Sequence, residues 1–345
     1  MTVIKMQGDK RRWQLENWLQ KTFQDKTLKC EPASSDASFR RYFRIVKSGK
    51  CYVVMDAPPD KEDCEPFVRV AQTLRSHEIQ APKIFHRSEE DGFLVLSDFG
   101  SICYLDELTS KTVDKLYRDA IEVLHKMHQI QAKDDCLPSY NDELLSSEMG
   151  LFKSWFLEQL LDLSLSDVET KGLENTQAKL SKSATEQPQV FVHRDYHSRN
   201  LMVTAENNPG VIDFQDAVYG PLTYDLVSLL RDCYLSWPDE KVYAWLDAFL
   251  AERKARGFAD DFDSSQFYMW FDWMGVQRHM KAVGIFSRLL IRDGKSNYLQ
   301  DIPRTLNYIS QACCRYQALA PLSELIENHN INERMKQVLL EKGLA

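Results

Sequence analysis

Residues Gln189 to Asp216, QVFVHRDYHSRNLMVTAENNPGVIDFQD, decide how the chain is read. Val190-Phe191-Val192 is a β-branched and aromatic run, a buried strand leading into a polar loop from His193 to Asn200. Leu201-Met202-Val203 and Val211-Ile212 are two more short apolar runs, and Asn207-Asn208-Pro209-Gly210 between them is a strong turn signal. The pattern predicts a β-hairpin. Asn200 opens its first strand and Asp213 closes its second, so antiparallel pairing is expected to bring amide and carboxylate to one end, beside Asp195. Three oxygen-bearing side chains with no cysteine near them suit Mg²⁺ carrying a phosphate better than zinc.

The spacing His193-Arg194-Asp195-x-x-x-x-Asn200, followed by the Asp213-Phe214 pair, matches the catalytic loop and metal aspartate of protein kinases. Together with SDASFRRYFR at 35–44 it makes the chain resemble the aminoglycoside phosphotransferase family, whose pattern kinases for choline, fructosamine and homoserine share. HRDYHSRNLM followed by VIDFQDAVYGPLTYDLVSLLRDCY looks closest to the bacterial anomeric kinases for N-acetylmuramate and N-acetylglucosamine. The resemblance is strong over 190–235 and 35–44, and thin over 130–185 and after 300.

The resemblance implies a bilobal, protein-kinase-like α+β fold. Residues 1–97 would form a small nucleotide-binding lobe with a five-stranded antiparallel sheet, and 98–345 a mainly helical lobe carrying the acceptor. It also implies transfer of the γ-phosphoryl of ATP, with Mg²⁺, to a sugar hydroxyl, as in the recycling of cell-wall amino sugars. Asp195 would orient the acceptor hydroxyl and take its proton, Asn200 and Asp213 would hold the metal, and His193 and Arg194 would brace the loop. Asp225 follows Gly220-Pro221, which reads as a turn, and Thr223, which reads as a helix N-cap. In kinase-like folds the matching aspartate braces the catalytic loop.

In the N-terminal part, residues 9–25 read as an amphipathic helix packing on the sheet. By the resemblance, the hairpin that covers the phosphates would have its tip at Ser34-Ser35-Asp36-Ala37-Ser38, without glycine and otherwise an ordinary polar turn, with Ser35 and Ser38 as candidates there. The strand that should carry a phosphate-binding lysine instead reads Val53-Val54-Met55-Asp56, so another cation must serve. Arg40, Arg41 and Arg44 are the candidates. Residues 61–78 read as a helix at the place where, by the resemblance, a kinase helix supplies a glutamate to the cleft; Glu62 and Glu65 in its first turns suit that role or helix capping. Ser97-Asp98-Phe99-Gly100 lies too early to be the metal motif. It resembles the inter-lobe hinge, with Leu96 to Asp98 gripping adenine through the backbone.

For the acceptor, Asp216, Tyr219, Arg231 and Arg278 are candidates, with Lys281 beside Arg278 on an apolar helix, while His197 or Arg199 on the catalytic loop could reach substrate or phosphate. Arg278 or Lys281 could pair with the lactyl carboxylate of N-acetylmuramate. Two other motifs read as structure: the His125-x-x-His128 spacing as packed helix histidines, and Gly294-Lys295-Ser296 as a P-loop tail without its context. About seven residues separate Asp213 from Gly220, too few for a protein kinase's activation segment, so a small acceptor is favoured. An aminoglycoside or other amine kinase is the alternative, and a nucleotide-holding pseudokinase a third.

Composition limits the partners. A net charge of −8 over 345 residues argues against nucleic acid or an anionic membrane. No apolar run approaches the roughly 20 residues of a membrane span, and the eight cysteines form no CxxC. A cytoplasmic monomer or weak oligomer is expected.

Overall fold

The computed structural model describes residues 9–35, 39–131 and 137–344. The chain divides into two compact units, Met1–Ile102 with Met202–Gln215, and Cys103–Leu201 with Asp216–Ala345.

The first unit holds a five-stranded antiparallel sheet in the order β1-β2-β3-β5-β4. The strands are β1 (Glu31–Ser35), β2 (Arg41–Lys47), β3 (Lys50–Asp56), β4 (Ile84–Ser88) and β5 (Phe93–Ser97). Alternation gives the sheet one face for the first helix, α1 (Lys10–Thr22): Leu15 and Leu19 bury against Phe43, Ile45, Val54, Phe93 and Val95. This is the packing the helical periodicity predicts. The second helix, α2 (Glu65–Ser76), buries Phe67, Val70, Ala71 and Leu74. It begins later than the sequence suggests, because Pro66 sits in the first turn, where a missing N–H costs nothing. Glu62 therefore lies in the turn before the helix. β7 (Leu201–Met202) and β8 (Gly210–Val211) form the expected two-stranded sheet.

Asp56 turns out to be a counter-ion. It is fully buried at the end of β3, with Arg11 Nε at 2.7 Å and Arg41 Nη2 at 2.6 Å. Arg41 also binds Asp9, the N-cap of α1. The aspartate at the expected lysine position thus fastens the first helix to the sheet.

The second unit is mainly helical. In chain order come α3 (Tyr104–Glu107), α4 (Val113–Met127), α5 (Asp142–Leu151), a π-helical continuation (Phe152–Leu160) and α6 (Asp167–Thr185). After the loop at residues 193–200 follow α7 (Tyr224–Leu230), α8 (Asp239–Ala255), α9 (Ser264–Asp293), α10 (Ile302–Arg315), α11 (Ala320–Asn328) and α12 (Ile331–Glu341). The long α9 is central and packs on α5, the π-helix, α6, α7 and α10. Its approach to α5 depends on Gly284, where a Cβ would fall 2.5 Å from the Leu151 carbonyl carbon. Gly294 caps α9 in the left-handed conformation at φ +68°, which accounts for the Gly-Lys-Ser triplet without any phosphate. His125 and His128 are buried packing residues, His125 stacked on Phe249 at 4.6 Å.

One expectation fails locally. Gly220-Pro221 is not a turn but the end of β9 (Val218–Pro221), paired antiparallel with β6 (Gln189–Val192). Proline is tolerated there because it stands at the strand's end. Gly220 is needed because a Cβ would lie 2.9 Å from that of Tyr140. No helix among the described residues is long and apolar enough to cross a membrane.

Candidate active site

Residues 193–200, the loop expected to be catalytic, leave the buried strand β6 and are held by two carboxylates. Asp225, in the first turn of α7, accepts the backbone N–H groups of His193 at 2.7 Å and Arg194 at 3.0 Å. Asp232, just past the end of α7, accepts the backbone N–H of Ser198 at 3.0 Å and its hydroxyl at 2.5 Å. Tyr196 is fully buried and donates its hydroxyl to the Ala120 carbonyl at 2.9 Å. The Asp195 carbonyl accepts the Asn200 amide at 3.0 Å. The loop is thus fixed at its ends and middle without the Asp195 carboxylate.

Arg194 sits at φ +77°, a conformation that costs a non-glycine residue roughly 1 kcal/mol or more. Its guanidinium is anchored by Glu148 of α5, which also holds Lys281 at 3.0 Å, the Tyr140 hydroxyl and the Gln277 amide. Burial pushes the Asp195 carboxyl up. The nearby positive charges of Lys281, Arg278 and Arg194 win and hold it down, at about 2. The group is therefore ionised at neutral pH.

Asp225 is displaced the other way. Burial, helped by repulsion from Asp195, raises it to about 7 against the pull of its two amide donors. The folded state then binds a proton between about pH 4 and 7 that the unfolded chain has lost. That contribution to stability is complete below pH 4 and disappears as pH rises through 7. Activity moves oppositely, since a protonated Asp225 gives up one acceptor oxygen and loosens the loop. Turnover is expected to fall as pH drops through about 7, while Asp195 remains charged. An Asp225→Asn enzyme should be slower and lack this inflection. An unchanged inflection in that variant would assign it elsewhere.

In the first unit, Asp213 follows β8 at φ +64° and accepts the Gln215 side-chain amide at 2.9 Å. Phe214 is buried and packs on Phe67 of α2, ring centres 4.9 Å apart. Among the described residues no cluster of three or more His, Cys, Asp or Glu could hold a metal. Mg²⁺ commonly takes one or two protein carboxylates plus phosphate oxygens, so an Asn and an Asp are a chemically fitting donor set.

The three arginines offered for the missing lysine differ in their partners. Arg41 belongs to the Asp56 and Asp9 cluster. Arg44 binds Asp98, with Nε–Oδ2 at 2.5 Å, and the Gly100 carbonyl, so two candidate nucleotide residues hold each other and brace the segment after Leu96. Arg40 pairs with Glu62 at 3.1 Å, both side chains nearly buried, and Glu62 also accepts the Phe39 N–H. Ser38 and the Ser35 side chain lie outside the described residues.

Among the acceptor candidates, Arg231 pairs with Asp239 at 2.8 Å and lies over the Tyr308 ring. It lines a cavity with Asp272, His279 and Arg315, none of them on the catalytic loop. Tyr219 uses its backbone to join Tyr140, and the carbonyl of the exposed Asp216 accepts from Arg194. Lys281 is committed to Glu148. Arg278 is buried, with the Cys233 sulfur at 3.7 Å and its Nε unpartnered. Sequence reading missed Asp232, Glu148 and Tyr140. Asp232 follows an apolar helix, as a loop anchor could, but Glu148 and Tyr140 carry no local signal.

The profile of the phosphotransferase enzyme family matches residues 29–268. An N-acetylmuramate/N-acetylglucosamine kinase of Pseudomonas putida is 45% identical over 294 residues, covering 85% of this chain and 86% of the relative. One of Neisseria meningitidis is 38% identical over 320 residues, covering 92% and 95%. Among solved structures, Plasmodium vivax ethanolamine kinase aligns with a TM-score of 0.61 at 13% identity, covering 91% of this chain and 95% of that one. A putative aminoglycoside phosphotransferase of Ralstonia eutropha gives 0.61 at 14%, covering 90% and 98%. These structures share the fold expected from the sequence, the protein-kinase-like type.

Proposed function

The chain belongs to the phosphotransferase enzyme family, and from that premise we propose that it phosphorylates the anomeric hydroxyl of N-acetylmuramate or N-acetylglucosamine with ATP, as part of amino-sugar recycling in the cytoplasm. The reading is supported by the relatives of that name and by the braced Asp195, whose carboxyl is held down by the cations around it. Asp195 accepts the hydrogen bond of the acceptor O–H. The acceptor oxygen forms a bond to the γ-phosphorus as the bond to the ADP oxygen breaks, and the proton passes to Asp195. A carboxylate held near 2 is a weak base, so it orients the hydroxyl first and takes the proton late, as a loose transition state allows. Asn200 and Asp213 would hold Mg²⁺, which when bound neutralises phosphate charge. Arg40, oriented by Glu62, takes the place of the absent strand lysine at the phosphates, while the backbone of Leu96 to Asp98 receives the base.

The test is Mg-ATP consumption by the purified protein across amino sugars and aminoglycosides, with the product's phosphate position read by NMR. A sugar 1-phosphate is the expected product. Turnover with aminoglycosides alone, or with nothing, removes the proposal.

A further inference from the structure

Arg199 immediately precedes Asn200 on the catalytic loop and is exposed. Its guanidinium lies 3.7 Å from the centre of the Tyr234 ring and 5.9 Å from that of Tyr298. Both rings are themselves fixed. Tyr234 meets His197 edge-on at 5.3 Å, and its backbone N–H donates to Asp232 at 3.0 Å. Tyr298 stacks on Phe286 at 5.5 Å. Among the described residues no carboxylate lies within ion-pair distance of Arg199; the nearby Asp301 is paired with Arg304. In contrast, Arg194, Arg231, Arg253, Arg256, Arg304 and Arg315 each hold a carboxylate.

Stacking on an aromatic face orients a guanidinium without using its N–H edge, and that edge matches a carboxylate with two parallel hydrogen bonds. A positioned guanidinium on the loop that carries Asp195, with aromatic rings around it, fits an acidic sugar. The rings hold the guanidinium in place, and its N–H edge suits the acid. The same fork also matches a phosphate, and the KM for ATP separates the two. We propose that Arg199 is the specificity-determining residue for the carboxylate of an acidic amino sugar, separating N-acetylmuramate from neutral N-acetylglucosamine. This rests on the acceptor reading above. It also assigns the carboxylate to Arg199 rather than to Lys281, which Glu148 occupies, or to the buried Arg278.

The experiment is steady-state kinetics of wild type, Arg199→Met and Arg199→Lys with both sugars and with ATP varied. Arg199→Met should lower kcat/KM for N-acetylmuramate by about 10- to 100-fold, the range for a lost charge-assisted bond. The value for N-acetylglucosamine should change by less than about threefold on the same basis, because that sugar never forms the bond. The KM for ATP should stay constant, and Arg199→Lys should recover only part of the loss, lacking the fork. Equal losses for both sugars, a raised KM for ATP, or no loss at all overturns the assignment. A wild-type enzyme that phosphorylates neither sugar instead removes the acceptor reading, and this is seen before any variant is compared.

Discussion

Asp195→Asn is expected to lower kcat by several orders of magnitude and to leave the fold and Mg-ATP binding in place. The side chains are nearly the same size, and the loop does not depend on this carboxylate. His193, Arg194 and Ser198 are held by Asp225 and Asp232, and Asn200 binds the backbone carbonyl of residue 195. An amide cannot take the acceptor's proton, and it can turn its N–H₂ toward the hydroxyl and misdirect it. Positioned proton acceptors contribute typically 10²–10⁴-fold, about the loss anticipated here before misdirection is added. The substitution also removes the anion facing Lys281, Arg278 and Arg194. The group's pKa is depressed in the fold, so its stabilising effect exists above the unfolded value and is lost as pH falls toward 2. A modest drop in Tm at pH 7 is therefore expected, with the far-UV circular dichroism unchanged. Near-native turnover in the variant would contradict the role given to Asp195.

The parts of the molecule that were legible in the sequence are those whose signals are local. The strand, polar loop and hairpin from 189 to 216 could be read because β-branched runs and a turn tetrapeptide lie next to one another. Helix α1 was legible from the spacing of Leu15 and Leu19, and α4 from that of Leu116, Tyr117, Ala120 and Leu124. What stayed hidden are pairings between distant positions. Asp56 in place of a lysine looked like a lost phosphate ligand. Its meaning depends on Arg11, which another helix brings to it. Gly220-Pro221 carried a turn's composition, but β6 and Tyr140 supply strand pairing on both sides. Tertiary context decides such cases, because turn propensity amounts to less than a few paired backbone bonds.

Glu148 is the sharpest instance, since nothing near it in sequence marks it and its loss should damage the protein most. Its carboxylate joins α5 to the catalytic loop through Arg194, to α9 through Lys281 and Gln277, and to Tyr140 beside β9. Its side chain is 8% exposed, and that of Lys281 10%. Glu148→Ala leaves two cations in a buried place without their anion, and removing one partner of such a pair costs about 3–5 kcal/mol. For a unit of this size that corresponds to a Tm lower by on the order of 10 °C. Activity should fall as well, because Glu148 anchors the side chain of Arg194, whose left-handed backbone adjoins Asp195. Glu148→Gln, which retains one acceptor oxygen and loses the charge, should fall between wild type and alanine. The pH dependence separates this account from simple loss of packing. Burial raises the Glu148 pKa, but Lys281 and Arg194 lower it further, so in the fold it lies below its ordinary value. The stabilisation is then present above the unfolded carboxyl pKa and is lost as pH falls below it. The difference in Tm between wild type and Glu148→Ala should accordingly shrink in acid. A difference that stays constant from neutral pH down to the acid limit would mean that the cavity, not the unpaired charges, carries the cost.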